Sequence, residues 1–294
     1  MLTEEEYKKE WLQGLHQTEY NACRFSENKI QFAKDWILSK YPELNIEQPT
    51  NIFERINNYK LYDKDIRKPI FADKIACLDE LRKMNLSDII IEPVYTSYKP
   101  FTIEDYKNLP NGKYIFKCNH GSGWNIKHEK TDISNPTYLI NKLNEWYTLN
   151  YAYICGWEWH YNEIKPGIII QPDISIKDIP LMDWSFWCEN GNIELINLTR
   201  KFSKNIEESI LECNEDGEEP EFIIGIEPLR IKASKLEKQI IDKMKPIVKK
   251  LAQDFKFVRV DLYYVNEKIY FGELTFTPCS GNLNYITVEN YKRL

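Results

Sequence analysis

Apolar and polar side chains alternate most clearly near the C-terminus, in the segment 257–282, FVRVDLYYVNEKIYFGELTFTPCSGN. A period of two predicts β-strands, and the polar residues 266–268 between the two alternating runs predict the turn of a hairpin. If all three of these residues are looped out, Asp261 and Glu273 lie opposite each other on one face. A turn of two residues would put them on opposite faces, so the turn length decides how they are related.

Two facing carboxylates repel each other unless a positive charge lies between them. A divalent cation with oxygen ligands is the usual partner of such a pair, so a metal site at Asp261 and Glu273 is one interpretation. The alternative is an exposed hairpin that carries scattered charges. The pattern of this segment alone leaves both interpretations open.

Apolar residues recur at helical spacing elsewhere, which predicts helices at 4–15, 27–38, 71–84, 135–147 and 232–255. In the third of these helices, Asp73 is placed to cap the free amide groups of the first turn. Lys74 follows it, either as an ordinary surface residue or as a cation that meets an anion at that helix end. The segment 41–70 contains three prolines and is predicted to be irregular.

Shorter apolar runs predict strands at 88–96, 113–117 and 167–170, and Asn190-Gly191 predicts the turn of a second hairpin within 182–201. Eight acidic residues and no basic ones occur in 206–221, which we interpret as a solvated loop. Helical and strand segments alternate without a regular βαβ order. The predicted fold class is therefore α+β, with mixed or antiparallel sheets.

The composition narrows the classes of partner. Among 294 residues, 39 Lys and Arg stand against 45 Asp and Glu, and the net charge of −6 argues against general binding to nucleic acid or anionic lipid. The N-terminus shows no secretory signal, and no segment reaches the roughly 18 apolar residues of a membrane-spanning helix. Seven scattered cysteines without a CxxC pair indicate reduced thiols, so we expect a cytoplasmic protein.

A polar loop follows the predicted strand 113–117, whose last residue is Lys117. The loop, 119–123 with the sequence NHGSG, would present backbone N–H groups close to the Lys117 ammonium, a combination that suits phosphate oxygens. The segment matches neither GxxxxGK[ST] nor GxGxxG. Because flexible turns have similar sequences, this loop by itself is a weak indication of a phosphate site.

The order of these parts is more specific than any one of them. The matching segments, within about 71–285, are FADKIACLDEL, YIFKCNHGSG, GIIIQPDI, DWSFWCENGNIELI and FVRVDLYYVNEKIYFGELTFTPCSG. Together they resemble the ATP-grasp superfamily, and within it the TupA-like branch, which is associated with bacterial surface polysaccharide and teichuronopeptide synthesis. The resemblance implies an α+β ATP-grasp fold in which two subdomains clasp ATP, with an N-terminal helical arm.

The resemblance also implies how the chain is divided. Residues 1–70 would form the N-terminal helical arm and pre-grasp segment. Residues 71–175 would form the small or lid subdomain up to the hinge strand, and 176–294 the C-terminal metal-binding subdomain. The ligands that this arrangement implies are ATP and Mg²⁺.

Nucleotide contacts are assigned by the same resemblance. Lys74 and Lys117 match the two lysines that reach the ATP phosphates. Gln171 and Ile174 match the hinge strand that meets adenine, although the family more often has an acidic residue in place of Gln171. The glycine-rich lid over the phosphates corresponds to Asn119, Gly121, Ser122 and Gly123.

The implied metal and catalytic positions lie mainly in the C-terminal hairpin. Asp261 and Glu273 match the carboxylates that hold magnesium, which favours the turn that puts them on one face. Thr275 stands where many members of the superfamily have asparagine. The implied catalytic residues are Lys117 and Arg259, whose planar fork suits an acyl phosphate or a carboxylate.

Contacts to the other substrates are implied for His120, Asp183, Arg200, Ser280 and Gly281. The sequence Asp183-Trp184-Ser185 departs from the Asp-Tyr-Lys of the branch, and Arg200 or Arg259 is available to replace the missing lysine. The segments 147–161 and 206–221 are candidates for lids over the substrates.

The implied reaction is ATP-dependent ligation of a carboxylate and an amine. The carboxylate attacks the γ-phosphate to give an acyl phosphate, and the amine then displaces phosphate to form an amide bond. The partners would be a small-molecule or glycan-linked carboxylate and an amine, in capsule or teichuronopeptide-type biosynthesis. Two alternatives stay open: a glycosyltransferase or kinase-like enzyme of such a pathway, and a non-catalytic nucleotide-binding protein, suggested by Gln171 and Ser185.

Overall fold

The computed structural model describes residues 15–177, 179, 181–201, 206–212 and 235–282. The first of its two sheets contains β1 (Tyr95–Ser97), β2 (Gly112–Cys118), β3 (Asn125–Lys130) and β4 (Ile168–Pro172), in the order β1-β4-β2-β3. The second contains β5 (Leu181–Glu189), β6 (Asn192–Lys201), β7 (Ile206–Glu212), β8 (Phe257–Val265) and β9 (Lys268–Thr275), in the order β7-β6-β5-β8-β9. Every strand pair in the described residues is antiparallel, which confirms the predicted α+β class.

The helices of the described residues are α1 (Leu15–Phe25), α2 (Lys29–Leu38), α3 (Ile52–Tyr62), α4 (Lys68–Ala72), α5 (Ala76–Lys83), α6 (Ile103–Asn108), α7 (Thr137–Thr148), α8 (Trp159–Asn162) and α9 (Lys235–Ala252). None of them has the length and apolar character needed to cross a bilayer. The predicted helix at 4–15 lies, except for its last residue, outside the described part of the chain.

Three helical predictions are confirmed by α2, α7 and α9, with boundaries shifted by a few residues. The predicted helix 71–84 is instead divided, because α4 ends at Ala72 and α5 begins at Ala76. Asp73 lies between them and accepts hydrogen bonds from the N–H groups of Ile75 (2.8 Å) and Ala76 (3.2 Å), so it caps α5. The capping role predicted for Asp73 is therefore confirmed.

The prediction that 41–70 is irregular is wrong, because this segment contains α3. Asn51 caps the helix by accepting from the N–H groups of Phe53 and Glu54. Pro49 precedes the helix. Pro69 lies in the first turn of α4, where backbone N–H groups have no partner within the helix, so the missing N–H of proline costs no hydrogen bond. Pro49 and Pro69 thus lie near the starts of helices and do not prevent them.

One strand prediction and one loop prediction also need correction. Only the end of 88–96 is a strand, since Ser87–Ile89 forms a 3₁₀ turn and β1 begins at Tyr95. Residues 206–212 of the predicted acidic loop form β7, and the remaining residues, 213–221, lie outside the described part. The hairpin predicted within 182–201 is confirmed by β5 and β6, which meet at Asn190 and Gly191, both with positive φ.

The two faces of the second sheet differ in character. One face carries large apolar side chains that pack against the buried side of α9, among them Trp184, Phe186, Val260 and Leu262. The opposite face carries polar side chains at the alternate positions and faces the first sheet. At one end of this polar face, Trp187 joins the apolar cluster formed by α2 and α3. The fold therefore leaves a polar surface between the sheets, closed at one end by the N-terminal helices.

The β8–β9 hairpin reaches the predicted pairing by an unexpected route. Its turn contains only Asn266 and Glu267, both with positive φ, because Val265 pairs with Lys268. By itself this two-residue turn would put the two carboxylates on opposite faces. A β-bulge restores the pairing: Leu262 lies opposite Phe271 but Asp261 lies opposite Glu273, which leaves Gly272 without a partner.

The bulge requires glycine, because a Cβ on Gly272 would lie 2.8 Å from the carbonyl oxygen of Asp261. We expect Gly272→Ala to lower the free energy of unfolding by about 1–3 kcal/mol, measured by urea unfolding. Lys268→Ala, at an exposed position of the same strand, is the control and should change it by less than about 0.5 kcal/mol. Equal losses in the two variants would show that an alanine fits the bulge.

Candidate active site

A cleft of about 1080 Å³ lies between the two sheets. Its floor is the polar face of the second sheet, and the first sheet with its connection to β5 forms the opposite wall. The predicted site residues that line it are Lys74, Lys117, Gly123, Gln171, Ile174, Asp183, Arg259, Asp261 and Glu273. The fold therefore brings together residues that are up to about two hundred positions apart in the sequence.

Arg259 lies between the two carboxylates of the floor. Its guanidinium donates two hydrogen bonds to Asp261, from Nε to Oδ1 (2.8 Å) and from Nη2 to Oδ2 (2.6 Å). Nη2 is also 3.7 Å from Oε1 of Glu273, and it donates to Oγ1 of Thr275 at 3.2 Å. The planar fork of arginine allows this bidentate contact.

The pKa values of the two carboxyl groups shift in opposite directions. Burial raises the pKa of Asp261, and the charge of Glu273 adds to this, although Arg259 acts against it. Burial acts in the same direction on Glu273, but the charges of Lys74, Arg259 and Lys117 outweigh it and lower the pKa of Glu273. The surrounding cations thus keep Glu273 ionised beside its neighbour.

Lys74 connects the loop 119–123 to the hairpin. Its Nζ donates to the carbonyl oxygen of Gly121 at 2.6 Å and lies 3.5 Å from Oε2 of Glu273. Its backbone N–H donates to the carbonyl oxygen of Asn119 at 3.2 Å. Of the two interpretations of Lys74, the structure therefore supports the cation that faces the site.

Lys117 faces the same floor from the first sheet. Its Nζ donates to Oε1 of Gln171 (3.0 Å), and Nε2 of Gln171 donates to the carbonyl oxygen of Ile91 (2.7 Å). Burial, together with the charge of Lys74, lowers the pKa of Lys117 to about 8. In this arrangement the neutral amide of Gln171 supports Lys117 without neutralising it.

Other residues of the predicted lid support the loop from within the protein. Asn119 is fully buried, and its amide donates to Oδ1 of Asp73 (2.8 Å) and to the carbonyl oxygen of Lys165 (3.0 Å). His120 is also buried, with its ring nitrogens near Oδ1 of Asn119 (3.0 Å) and the carbonyl oxygen of Leu149 (3.2 Å). Burial lowers the pKa of His120 to about 4, so the ring is neutral.

The remaining predicted residues occupy different places. Ser122 is exposed at the loop tip, and Ser280 is buried, where its hydroxyl donates to Glu158. The carbonyl oxygen of Gly281 accepts from Asn57 of α3. Arg200 lies in β6, but its side chain is outside the described part of the structure. None of the residues 147–161 lines the cleft that the described residues form, so this predicted lid does not cover it.

Several residues of the cleft were missed by the sequence analysis. Trp187, Asn197 and Thr199 lie on the same face of the sheet as Asp183 and line the cleft. The alternation along β5 and β6 contained this information, because positions two apart share a face. Phe53 of α3 also lines the cleft; it had no local signal, since its helix was not predicted.

The donor set of the hairpin fits a magnesium ion that is shared with phosphate groups. Within the described residues, no cluster of three or more His, Cys, Asp or Glu side chains is suited to hold a metal ion on its own. Asp261 and Glu273 supply two carboxylates, and Mg²⁺ usually binds to one or two carboxylates, substrate phosphates and water. Ser185 lies directly opposite Asp261 on the neighbouring strand β5.

A family model described as TupA-like ATP-grasp matches residues 54–293. The chain belongs to the TupA-like ATP-grasp family. This assignment confirms the ATP-grasp fold and the branch that the sequence motifs implied. The match begins inside α3, whereas the motifs recognised in the sequence begin near residue 71, so the family unit includes most of this N-terminal helix.

Comparison with solved structures gives distant similarities. D-alanine–D-alanine ligase from Bacillus anthracis, complexed with ATP, has 13% identity and a TM-score of 0.44, over 76% of this chain and 60% of that chain. L-amino acid ligase from Bacillus licheniformis has 11% identity and a TM-score of 0.43, over 93% and 57% of the two chains. The TupA-like chain thus spans about 60% of the length of these ligases. None of the curated proteins compared with it matches significantly.

We expect Arg259→Met to lower the free energy of unfolding by about 3–5 kcal/mol at pH 7, because it leaves the buried Asp261 without its cation. The double variant Arg259→Met/Asp261→Asn should recover part of this loss, since it also removes the uncompensated charge. Urea unfolding of the two single variants and the double variant measures the coupling. Strictly additive losses would contradict the ion pair.

Proposed function

We propose that this protein is an ATP-dependent ligase that joins a carboxylate to an amine through an acyl phosphate. The observation that carries the proposal is the charge arrangement in the cleft, where Lys74 and Lys117 face a floor of two carboxylates and Arg259. Phosphoryl transfer depends mainly on positioning and on neutralising the charge of the phosphates. Fixed cations around a carboxylate pair supply both.

The nucleotide would lie along the wall formed by the first sheet. Ile91, Ile115 and Ile174 line the cleft beside Gln171 and offer an apolar surface for the base. The phosphates would then extend toward Lys117 and Lys74, under the loop that contains Gly123. The end of the hinge strand β4, with Gln171 and Ile174, would therefore bind adenine, as the family resemblance implied.

Asp261 and Glu273 would hold Mg²⁺, which neutralises phosphate charge when it is bound. Both oxygens of Asp261 accept hydrogen bonds from Arg259 in this structure, so the ion and the guanidinium compete for the same carboxylate. Release from Asp261 would leave the fork of Arg259 available for the oxygens of the reacting carboxylate. Thr275 would keep the arginine in place through its hydrogen bond to Nη2.

In the first step, an oxygen of the substrate carboxylate attacks the γ-phosphorus, the bond to the β-phosphate oxygen breaks, and ADP leaves. In the second step, the amine attacks the carbonyl carbon of the acyl phosphate, phosphate leaves, and the nitrogen loses a proton. The TupA-like assignment supports a role in capsule or teichuronopeptide-type polysaccharide biosynthesis, with a glycan-linked carboxylate as one partner. Dependence on ATP is in keeping with a cytoplasmic enzyme.

The experiment uses hydroxylamine as the amine, because it traps acyl phosphates as hydroxamates. With Mg²⁺, ATP and glucuronate, L-phenylalanine or D-alanine in separate reactions, we expect ADP and hydroxamate in equal amounts from at least one carboxylate. Nucleotide binding without ADP release would indicate a non-catalytic nucleotide-binding protein. UDP release from a UDP-sugar without ATP consumption would indicate a glycosyltransferase.

We expect Glu273→Gln to reduce ADP release by at least about a hundredfold, because it removes a metal ligand and a charge from the floor. Glu267→Gln, in the exposed turn of the same hairpin, is the matched control and should keep full turnover. Thermal unfolding establishes that both variants are folded. Unchanged turnover in Glu273→Gln would refute the proposed metal site.

Lys117 should make nucleotide binding depend on pH. Its pKa is about 8 without nucleotide, and nearby phosphates raise it, so binding takes up a proton at higher pH. The affinity for Mg²⁺ and a non-hydrolysable ATP analogue should be greatest below pH 8 and fall as the pH rises through that value. Calorimetry at pH 8.5 in buffers of different ionisation enthalpy measures the uptake. Lys117→Arg, whose guanidinium stays charged at this pH, should bind the nucleotide without proton uptake. If this variant takes up as many protons as the unaltered protein, the proton belongs to another group.

A further inference from the structure

At the end of the cleft beside Arg259, the lining residues have no role in the nucleotide and metal chemistry; they are Phe53, Trp187, Cys279 and Asn282. On β5, the side chains of Asp183, Ser185 and Trp187 follow one another along the floor, about 7 Å apart. Their partners on β8 are Tyr263, Asp261 and Arg259, in the same order. Trp187 therefore lies past the carboxylate pair, on the side away from the hinge strand.

Helix α3 forms the wall at this end. Phe53 lines the cleft and packs edge-on against Trp187, with ring centroids 6.2 Å apart. The helix is anchored to the end of β5 by Glu189, which accepts from Nε of Arg55 (2.7 Å) and from the hydroxyl of Tyr59 (2.9 Å). The aromatic pair is thus held at a fixed position beside the floor.

The same helix holds the loop Pro278–Gly281, whose neighbour Asn282 and central residue Cys279 line the cleft. Nδ2 of Asn57 donates to the carbonyl oxygen of Gly281 (3.0 Å). Nζ of Lys60 donates to the carbonyl oxygen of Ser280 (2.9 Å). These contacts join α3 to a loop more than 200 positions away.

The loop needs such support because its backbone is unusual. The φ values of Cys279, Ser280 and Gly281 are 52°, 55° and 80°, in the left-handed region that residues other than glycine rarely adopt. The buried carboxylate of Glu158 accepts from the hydroxyls of Ser280 (2.7 Å) and Thr277, which fixes the loop from the other side. Its position therefore depends on contacts from outside the hairpin.

We propose that α3 builds the second-substrate end of the cleft, and that it determines which carboxylate the enzyme accepts. This inference rests on the proposed ligase function. Arg259 receives the carboxylate group, while Phe53 and Trp187 contact the carbon frame, so the substrate has a flat apolar face, as in a sugar ring or an aromatic amino acid. Asn57 and Lys60 are positioning residues, which act through the loop 278–281.

The test compares two asparagines of α3. Asn57→Ala removes the hydrogen bond to Gly281, and Asn58→Ala removes a hydrogen bond to the carbonyl oxygen of Ile46, away from the loop. In Asn57→Ala, amide hydrogen exchange in 278–282 should accelerate by about tenfold or more, and KM for the carboxylate should rise by a similar factor. The Kd for Mg²⁺ and a non-hydrolysable ATP analogue should change by less than about twofold. Asn58→Ala should change none of the three.

The aromatic wall is tested by Phe53→Ala in the hydroxamate assay. We expect kcat/KM for the ring-bearing substrate, glucuronate or L-phenylalanine, to fall by about tenfold or more relative to kcat/KM for D-alanine. Whichever of the two ring-bearing substrates has the higher kcat/KM with the unaltered protein identifies the kind of ring. An equal loss for all three carboxylates would overturn the substrate class. Unchanged exchange of 278–282 in Asn57→Ala would overturn the role of α3.

Failure of the ligase function gives a different result. In that case the unaltered protein forms no hydroxamate with any of the three carboxylates, and the assignment of a carboxylate to this end is overturned with it. Exchange of 278–282 in the two asparagine variants is measured without any substrate. It therefore decides separately whether α3 holds the loop.

Discussion

The pairing of Asp261 with Glu273 across two neighbouring strands is the constraint on which the cleft depends. Directly opposed residues have Cβ atoms about 5 Å apart, and two partly desolvated carboxylates at that distance need cations around them. Arg259 supplies one such cation from β8, the strand of Asp261, and Lys74 supplies a second from the connection between α4 and α5. Since Lys74 also binds the carbonyl oxygen of Gly121, charge neutralisation on the floor fixes the loop of the opposite sheet.

The pairing itself depends on a single extra residue in β9. With a two-residue turn and regular pairing, Glu273 would lie opposite Val260 and point to the face that packs on α9, among side chains such as Val260 and Leu262. The bulge at Gly272 takes up one position and returns Glu273 to the polar face, while Phe271 and Leu274 remain in the core. Thus a local backbone irregularity separates the apolar face of the hairpin from its charged face.

Local patterns in the sequence predicted much of this arrangement. The alternation in β8, the Asn190-Gly191 turn and the cap at Asp73 each act within a few residues, and the structure confirms all three. The bulge was missed, although the apolar positions mark it: Phe271 and Leu274 lie three positions apart and both face the core, so the alternation breaks at Gly272. The strand β3, with the sequence NIKHEK, was missed because it lies at a sheet edge and carries few apolar residues. Asn119 and His120 resemble ligand contacts in sequence, yet their polar atoms bind within the protein.

The two ends of the cleft differ in how they are built. The nucleotide end uses residues from short recognisable segments, such as Lys117 and Gln171, whose contacts lie within the first sheet and its flanking loops. The other end depends on contacts of α3 with Trp187 and Gly281, which connect distant parts of the chain and follow no local pattern. In the described structure, the hydrogen bonds of Lys74 and Lys117 do not involve α3. Under the proposed ligase function, substitutions in this helix would alter which carboxylate is bound and would leave the contacts of Lys74 and Lys117 unchanged.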